Sequence, residues 1–474
     1  MEEKYYKIHM GKAKVALDLS DGSERGEYVG QDYILHTLGR PHRNVNLMYT
    51  YYPKDEQWPA RISEACKDME VNFAWDYPYD DYFPYGADGE PFESMKDVRR
   101  HGQDVTLTLT ADCSLEDDYL RKIAKDLRPF GRMRLRINHE CMGNWFTHNK
   151  RFSFKEIGDF FVRFAGIIHE EAPNVKVIFC AGFAEEPDGK VSCEDDFVDA
   201  YKAADVWSGD RYLALHFGWP YDIAEKDDGG RHTFTTTDTC FKHLTYTTSR
   251  LRKITGQNKP FVMSEFGADG DVTGALHQGE VIRRFMNRVE KEDPDWLDGL
   301  TFYQFRDRGR LGLEIEDPNN SAVGIPQPII KDYKEILNNP YFMPAMDTGE
   351  EVSLPFRFRW GGAEDADGMA IKLKFDHSPE FCEINFDEKD KLSLMIEING
   401  RWFYKAPDVT FIDMMPAFEE PIADGTELLL KIFATPADGL NVDDGSDDWD
   451  ENYYATMTAM PKIRVRYEPV SVVD

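Results

Sequence analysis

The sequence predicts a (β/α)8 barrel followed by a smaller all-β sandwich domain. Eight short β-rich runs occur in order from residue 44 to about residue 306, and segments with helical periodicity separate most of them. Beyond residue 349 the pattern changes to alternating strands with regular turn spacing and no helix-length period. A chain of 474 residues also exceeds what one hydrophobic core usually serves, which favours two domains.

The β-rich runs define the expected barrel, which spans residues 44–340. A strand followed by a helix, repeated eight times, is typical of a closed parallel barrel. Residues 1–43 are expected to form an N-terminal extension, whose run "KAKVALDLS" (residues 12–20) either caps the barrel bottom or adds a strand to the second domain. The eight runs begin at Asn44, Val71, Asp104, Met133, Val175, Tyr212, Pro260 and Leu300.

The second domain, residues 349–474, is expected to be a β-sandwich because its strands alternate and its turns are regularly spaced. Trp360, Trp402 and Tyr404 are aromatic residues of a kind that binds carbohydrate. Sandwich domains often pack such residues inward, however, so we assign this domain no site.

The charge of the chain limits its classes of partner. Acidic residues number 87 and basic residues 56, so the formal net charge is −31 and the field of the chain repels phosphate backbones. This argues against nucleic acid and anionic lipid, and no stretch approaches the roughly 18 apolar residues of a membrane span. We therefore expect a neutral ligand.

Motifs for disulfides, cofactors and export are missing from the sequence. The seven cysteines are scattered without metal-binding spacing, so most are expected to be free thiols. Without a ligand cluster or a Gly-rich phosphate loop, no metal or cofactor is expected. The N-terminal "MEEKYYKIHMGKAK" lacks the apolar core of a signal peptide, so we expect either a cytoplasmic protein or a secreted one whose signal has been removed.

Two glutamates follow strands that are expected to face each other across the barrel mouth. Catalytic groups in such barrels lie at the C-terminal ends of strands, where Glu140 ends the fourth run and Glu265 the seventh. A single strand-end glutamate is more often a solvated loop residue. Two facing carboxylates about 5–5.5 Å apart are what a retaining glycosidase needs. The sequence His139-Glu140 also begins like the zinc motif H-E-x-x-H, but Gly143 stands in the place of the second histidine.

These residues resemble the family 26 β-mannanases of the clan A glycoside hydrolases. The family's fourth-strand motif R-x-x-H-E-M-N-G-x-W-F is matched by Arg136, His139, Glu140, Gly143, Trp145 and Phe146, and the segment "SEFG" (residues 264–267) is similar to its nucleophile segment. The resemblance implies that Glu140 is the acid/base and Glu265 the nucleophile. Met142 stands where the family has asparagine, and His139 stands where most of the clan has asparagine.

Aromatic side chains near the strand ends are expected to bind the sugar rings, because the C–H face of a pyranose stacks on an aromatic ring. Arg134 or Arg136 could pair with a catalytic carboxylate. His216 ends the sixth run and either contacts Glu265 or is a core histidine bonded to backbone. The expected substrate-binding residues are Trp75, Arg136, His139, Trp145, Phe146, His216, Trp219, Tyr221 and Tyr303.

The sequence therefore predicts a retaining, endo-acting β-glycoside hydrolase that takes a polysaccharide or oligosaccharide substrate, with β-mannan as the leading candidate. Cleavage would proceed by double displacement on two carboxylates. The alternative within the class is a retaining hydrolase of another β-glycan, such as xylan, mixed-linkage glucan or galactan. The alternative from another class is a glycan-binding protein without catalysis.

Overall fold

A computed structural model describes residues 4–22, 27–69, 83–85, 91–143, 150–183, 196–216, 232–441 and 451–468. Eight parallel strands form a closed barrel, because each pairs with the next and the last pairs with the first. This confirms the predicted (β/α)8 barrel. The barrel strands, first to eighth, are Ala16–Ser20, Asn44–Tyr51, Asp104–Thr110, Met133–Ile137, Val175–Phe183, Val206–His216, Phe261–Ala268 and Leu297–Phe302.

The first barrel strand differs from the prediction. Ala16–Ser20 pairs with the eighth strand on one side and with Asn44–Tyr51 on the other, so this part of residues 1–43 belongs to the barrel. Asn44–Tyr51 pairs in turn with the third strand, in the place that the sequence analysis gave to the Val71 run. That run lies outside the described residues.

A buried ion pair explains why the strand-like run Ala16–Ser20 was not assigned to the barrel. A charged residue such as Asp18 within a strand usually indicates that the strand is half exposed. Asp18 is nevertheless only 3% exposed. Its carboxylate accepts hydrogen bonds from Nε and Nη2 of Arg43 at 2.9 and 2.6 Å. A charged residue can occupy a buried strand position when it is paired in this way, and local sequence does not reveal the partner.

Helices surround the barrel at the positions that apolar periodicity indicates. The helix Phe154–Glu171 begins with a capping box, in which the side chains of Ser153 and Glu156 each accept a hydrogen bond from the other residue's backbone amide. Among the described residues no helix is both long and apolar enough to cross a membrane. The described α-helices are Gln31–Leu38, Trp58–Cys66, Phe92–Arg100, Asp117–Leu127, Phe154–Glu171, Val198–Ala203, Thr237–Thr255, Gly270–Thr273, Gln278–Glu292 and Ile329–Leu337.

Short strands extend the sheet at the C-terminal face of the barrel. Phe83–Tyr85 pairs with the second strand and His232–Phe234 with the sixth. After the eighth strand, Arg306–Asp307 and the hairpin of Glu314–Asp317 and Asn320–Pro326 form a separate three-stranded sheet. This inserted hairpin borders the barrel mouth because it directly follows the end of a barrel strand.

The C-terminal domain is all-β, as predicted, and includes a strand from the N-terminus. Tyr5–Met10 lies between two strands of its larger sheet, so the N-terminal 20 residues contribute to both domains. The smaller sheet contains Phe381–Asn385, Phe411–Asp413 and Lys462–Arg466. The larger sheet contains Tyr5–Met10, Met346–Glu351, Phe356–Trp360, Ala366–Lys374, Ser393–Ile398, Arg401–Lys405, Glu427–Thr435 and Tyr453–Met457.

The outer face of the larger sheet packs on the N-terminal ends of the barrel strands, opposite the mouth. Trp360 and Trp402 belong to this apolar interface and are 2% and 4% exposed, so these two residues are not a sugar platform. Gly102 has a φ of +69°, and a Cβ there would lie 2.8 Å from the Met395 side chain, so the interface requires glycine at this point. The amide of Ala363 donates to Asp104 at 3.0 Å.

The cysteines agree with the prediction as far as the structure describes them. All six described cysteines are free thiols, and Cys193 lies outside the described residues. The six are Cys66, Cys113, Cys141, Cys180, Cys240 and Cys382.

A buried histidine at the domain interface carries a positive charge. The two ring nitrogens of His101 lie 2.9 Å from Asp32 and 3.2 Å from Asp97, and its ring packs on Tyr404 at 4.0 Å. Burial alone would lower the pKa of His101, but the two carboxylates outweigh burial and raise the pKa to about 9. The ring is therefore an imidazolium at neutral pH.

We predict that this imidazolium stabilises the fold up to mildly alkaline pH. Because the folded pKa is raised above the unfolded value, the stabilisation is complete below about pH 6.5 and is lost as pH rises through about 9. Wild type should lose roughly 3 kcal/mol of unfolding free energy over this window, and His101→Gln should not. Urea titrations at pH 6 and 9.5 measure the difference, with His377→Gln as the control. An equal loss in wild type and His101→Gln would contradict the assignment.

Candidate active site

The carboxylate of Glu265 is held by two donors inside the barrel mouth. Glu265 lies on the seventh strand and is 6% exposed. Nη2 of Arg136 donates to Oε1 at 2.7 Å, and the hydroxyl of Tyr212 donates to Oε2 at 2.6 Å. Burial and the charge of Glu265 hold the pKa of the Tyr212 phenol well above its usual value, so this hydroxyl keeps its proton and remains a donor.

Arg136 connects four barrel strands through one guanidinium group. It lies on the fourth strand, is fully buried, and donates through Nε to the Thr108 hydroxyl at 2.8 Å on the third strand. Nη1 lies 3.3 Å from Asp210 on the sixth strand, and Nη2 reaches Glu265 on the seventh. Burial alone would lower the pKa of Arg136, but Glu265 and Asp210 raise the pKa above its ordinary value, so the cation is retained.

The neighbouring arginine has a different partner. Arg134 lies 2.9 Å from Asp298 near the N-terminal ends of the strands, far along the barrel axis from the mouth. Of the two arginines considered from the sequence, Arg136 therefore pairs with the Glu265 carboxylate.

Glu140 follows the fourth strand in a backbone segment of unusual conformation. Asn138 and Glu140 have φ values of +46° and +52°, which non-glycine residues rarely adopt. Two hydrogen bonds between the Asn138 side chain and the backbone of Ala111, at 2.7 and 2.8 Å, hold the segment. The amide of Glu140 donates to the Cys180 carbonyl on the fifth strand at 2.9 Å. Such strain persists where surrounding contacts compensate it, and it is concentrated at functional sites.

Three carboxylates meet at the mouth. One oxygen from each of Glu140, Asp210 and Glu265 lies within 4.8 Å of the other two, so among the described residues these three could together ligate a metal ion. Nε2 of His139 lies 3.7 Å from Oε1 of Glu265. The fourth and seventh strands thus bring together the two glutamates and the histidine that the sequence singled out.

Asp210 is a site residue that the sequence analysis missed. It is fully buried, and the Cys180 thiol donates to its Oδ2 at 3.4 Å. Burial raises the pKa of Asp210 to about 7, the charge of Glu265 adds to this rise, and Arg136 opposes it. The strand begins at Val206, whereas its apolar run begins only at Tyr212, so Asp210 looked like a loop residue. The two-residue spacing of Asp210 and Tyr212 was the available signal, because alternate residues share one face of a strand.

The remaining predicted residues fall into two groups. Tyr303 packs edge-on against Tyr212 with ring centroids 6.1 Å apart, so it supports the residue that holds Glu265. Tyr212 makes the contact with Glu265 for which His216 was one of the candidates. The backbone amide of His216 faces the Asp269 carboxylate. The predicted residues Trp75, Trp145, Phe146, Trp219 and Tyr221 lie outside the described residues.

Comparisons with known proteins give fold-level similarities only. No protein-family model matches the chain, and no curated protein matches its sequence. A family 51 α-L-arabinofuranosidase from Bifidobacterium longum is similar in structure, with a TM-score of 0.43, 10% identity, and coverage of 90% of this chain and 98% of that chain.

Two further solved structures are also similar to this chain in fold at low sequence identity. A family 26 β-mannanase from Bacteroides ovatus has a TM-score of 0.42 and 13% identity, over 70% of this chain and 90% of that chain. A family 39 glycoside hydrolase from Bacteroides cellulosilyticus has a TM-score of 0.45 and 9% identity, over 91% of this chain and 88% of that chain. The residues of the site are therefore the basis for inferring a function.

We predict that Asp210 makes the stability of the fold depend on pH. A raised carboxyl pKa means that the folded chain holds a proton which the unfolded chain releases above about pH 4, so unfolding free energy falls as pH rises to about 7. Asp210→Asn should remove this part of the fall. Urea titrations at pH 5 and 8 compare wild type with the variant, and Asp199→Asn on an exposed helix is the control. Parallel pH dependence in all three proteins would contradict a proton on Asp210.

Proposed function

We propose that the chain is a retaining β-glycoside hydrolase in which Glu265 is the nucleophile and Glu140 the acid/base. The observation that carries this proposal is the pair of glutamate oxygens within 4.8 Å of each other at the ends of the fourth and seventh strands. Double displacement requires carboxylates about 5–5.5 Å apart, whereas inverting enzymes need about 6.5–9.5 Å to admit a water molecule. The approach of one oxygen of each glutamate to within 4.8 Å leaves little room for a water molecule between them, which supports retention of configuration.

The contacts of Glu265 suit a nucleophile. Arg136 and Tyr212 occupy one lone pair on each carboxylate oxygen and fix the plane of the group, which places an oxygen for attack on the anomeric carbon. Departure of the leaving group then needs a proton from the opposite side of the sugar ring, where Glu140 lies. His139, beside Oε1 of Glu265, is in a position to contact the sugar at the cleaved bond.

We propose β-mannan as the substrate, acted on within the chain, on the strength of the fourth-strand and seventh-strand motifs. One observation favours another β-glycan as the alternative. Met142 stands where the resembled family has asparagine, and its side chain packs so closely on the fifth strand that a Cβ at Gly182 would lie 2.4 Å from it. An apolar, packed side chain at this position does not offer the hydrogen bonds of an amide.

A panel of pure polysaccharides tests the proposal directly. We expect release of oligosaccharides from a β-mannan, with the β-anomer as the first product in proton NMR spectra taken during the opening minutes. EDTA should leave the rate unchanged, because two carboxylates suffice for the reaction. Initial accumulation of the α-anomer would contradict the role of Glu265, and a rate lost in EDTA and restored by a divalent cation would favour metal binding by the three carboxylates.

We predict that replacing each glutamate by alanine impairs a different step of the reaction. Glu140→Ala should still attack an aryl glycoside with a good leaving group, accumulate the intermediate, and give a β-glycosyl azide when azide is added. Glu265→Ala forms no intermediate and should lose several orders of magnitude in kcat with any substrate. Azide can then enter from the vacated side and give the α-linked product.

The matched control for both variants is Glu280→Ala, on the outer surface of the helix Gln278–Glu292. Its kinetics should equal those of wild type. Swapped azide products would exchange the two roles. Near-native rates in both Glu140→Ala and Glu265→Ala would overturn the proposed catalytic pair and would favour a glycan-binding protein or a different site.

A further inference from the structure

A cavity lies on the same face of the barrel as the two glutamates of the proposed active site. It occupies about 330 Å³ between the loop that follows the first barrel strand and the inserted hairpin that follows the eighth. The amides of Phe305 and Arg306 donate to the carbonyls of Ser20 and Asp21 at 2.8 and 3.3 Å, which continues the strand pairing beyond the strand ends. We call this cavity the distal slot; it is lined by Glu27, Gly30, Tyr33, Arg306, Val323 and their neighbours.

Tyr33 presents a fixed aromatic ring to the distal slot. Tyr33 is 42% exposed although its hydroxyl is hydrogen-bonded. That hydroxyl donates to Oε1 of Glu314 at 2.6 Å, and Phe305 packs edge-on against the ring at 6.0 Å. The guanidinium carbon of Arg306 lies 5.7 Å from the ring centroid. The ring is therefore held in place before any ligand arrives, which lowers the entropy cost of stacking on it.

The positive charge of Arg306 at the border of the distal slot is neutralised by Glu314. Nε and Nη2 of Arg306 donate to Oε2 of Glu314 at 3.1 and 2.9 Å, and Nη1 donates to the Ala322 carbonyl at 3.0 Å. Gly324 allows this tight packing, since a Cβ there would lie 1.8 Å from Oε2 of Glu314. With its charge neutralised and its donors engaged, Arg306 does not attract an anion. The slot suits a neutral ligand with a flat apolar face and polar edges.

We propose that the distal slot binds a neutral sugar unit of the polysaccharide chain, away from the bond that is cleaved. The C–H face of a pyranose would stack on Tyr33, and its hydroxyls would reach the Glu27 carboxylate, one oxygen of which already accepts from Ser321 at 2.7 Å. The volume is at the lower end of the range for ligand pockets, which fits one or two rings. This inference rests on the proposed glycoside hydrolase function.

The position of the distal slot fits a substrate that also reaches the glutamates. Arg306 follows Tyr303 by three residues, so their Cα atoms are at most about 11 Å apart. Tyr303 in turn packs on Tyr212, which holds Glu265. A chain bound at the catalytic pair therefore needs only a few further units to reach Tyr33. Short substrates would not reach it.

The experiment compares long and short substrates in variants of the distal slot. Tyr33→Ala should lower kcat/KM on the polysaccharide about 3- to 10-fold, through KM, because aromatic stacking supplies binding of that order. The same variant should leave kcat/KM unchanged on a short aryl glycoside. Tyr33→Phe keeps the ring but removes its hydrogen bond to Glu314, so its loss on the polysaccharide should be smaller than that of Tyr33→Ala. Tyr454→Ala, an exposed tyrosine of the sandwich domain, is the control.

A second variant tests the distal slot independently, in case Tyr33→Ala does not fold. Val323 is 45% exposed on the hairpin, so Val323→Glu changes the slot without disturbing the core, and it should show the same selective loss on the polysaccharide. Equal losses on both substrates, or no loss on either, would overturn the proposed sugar site in the distal slot. Neither result would contradict the hydrolase function.

Binding measurements separate the two proposals if wild type hydrolyses none of the glycans, a result that overturns the proposed function. Affinity electrophoresis through gels containing each polysaccharide then shows whether the distal slot binds a sugar. Retardation of wild type that is lost in both Tyr33→Ala and Val323→Glu supports a sugar site in the slot. Absence of retardation, or retardation that persists in both variants, overturns it.

Discussion

The fully buried guanidinium of Arg136 is the charge on which the arrangement of the barrel mouth depends. A cation inside a barrel is tolerated only when it is paired and hydrogen-bonded, and Arg136 meets this condition through Thr108, Asp210 and Glu265. Because these partners lie on the third, sixth and seventh strands, one side chain couples the positions of four strands. The orientation of Glu265 is thus a consequence of how the barrel closes, and loss of Arg136 would leave two carboxylates buried beside each other without a counter-charge.

A second charged network lies at the opposite end of the barrel and has a structural role. Arg43 bonds Asp18 and Asp298, and Arg134 reaches the same Asp298 carboxylate. Burial would raise the pKa of Asp298, but the two arginines outweigh burial and hold the pKa well below its usual range. Glu364 of the sandwich domain approaches this network, within 3.8 Å of Arg43. The sandwich therefore covers the N-terminal ends of the strands, and the C-terminal ends remain the face at which a substrate can enter.

Local sequence predicted the features that depend on position along a strand, and it missed those that depend on a distant partner. Glu140 and Glu265 were found because an acid at the end of an apolar run is visible in the sequence. The place of the first strand in the barrel was missed because the burial of Asp18 depends on Arg43. Asp210 was missed because its strand begins before the apolar run does. The buried positions of Trp360 and Trp402 depend on how two domains dock, which alternation within one strand does not encode.

The charges at the mouth also explain why a third carboxylate is compatible with the proposed chemistry. With Asp210 neutral below about pH 7, one of the three carboxyl groups at the mouth carries no charge. In the first step of the proposed double displacement, Glu140 would give its proton to the leaving oxygen as the bond between that oxygen and the anomeric carbon breaks, and the Glu265 oxygen would form a bond to the same carbon. One negative charge disappears from Glu265 and one appears on Glu140, whose oxygen lies within 4.8 Å of that of Glu265. The net charge near Arg136 therefore stays constant through this step, so the reaction adds no uncompensated charge to a buried site.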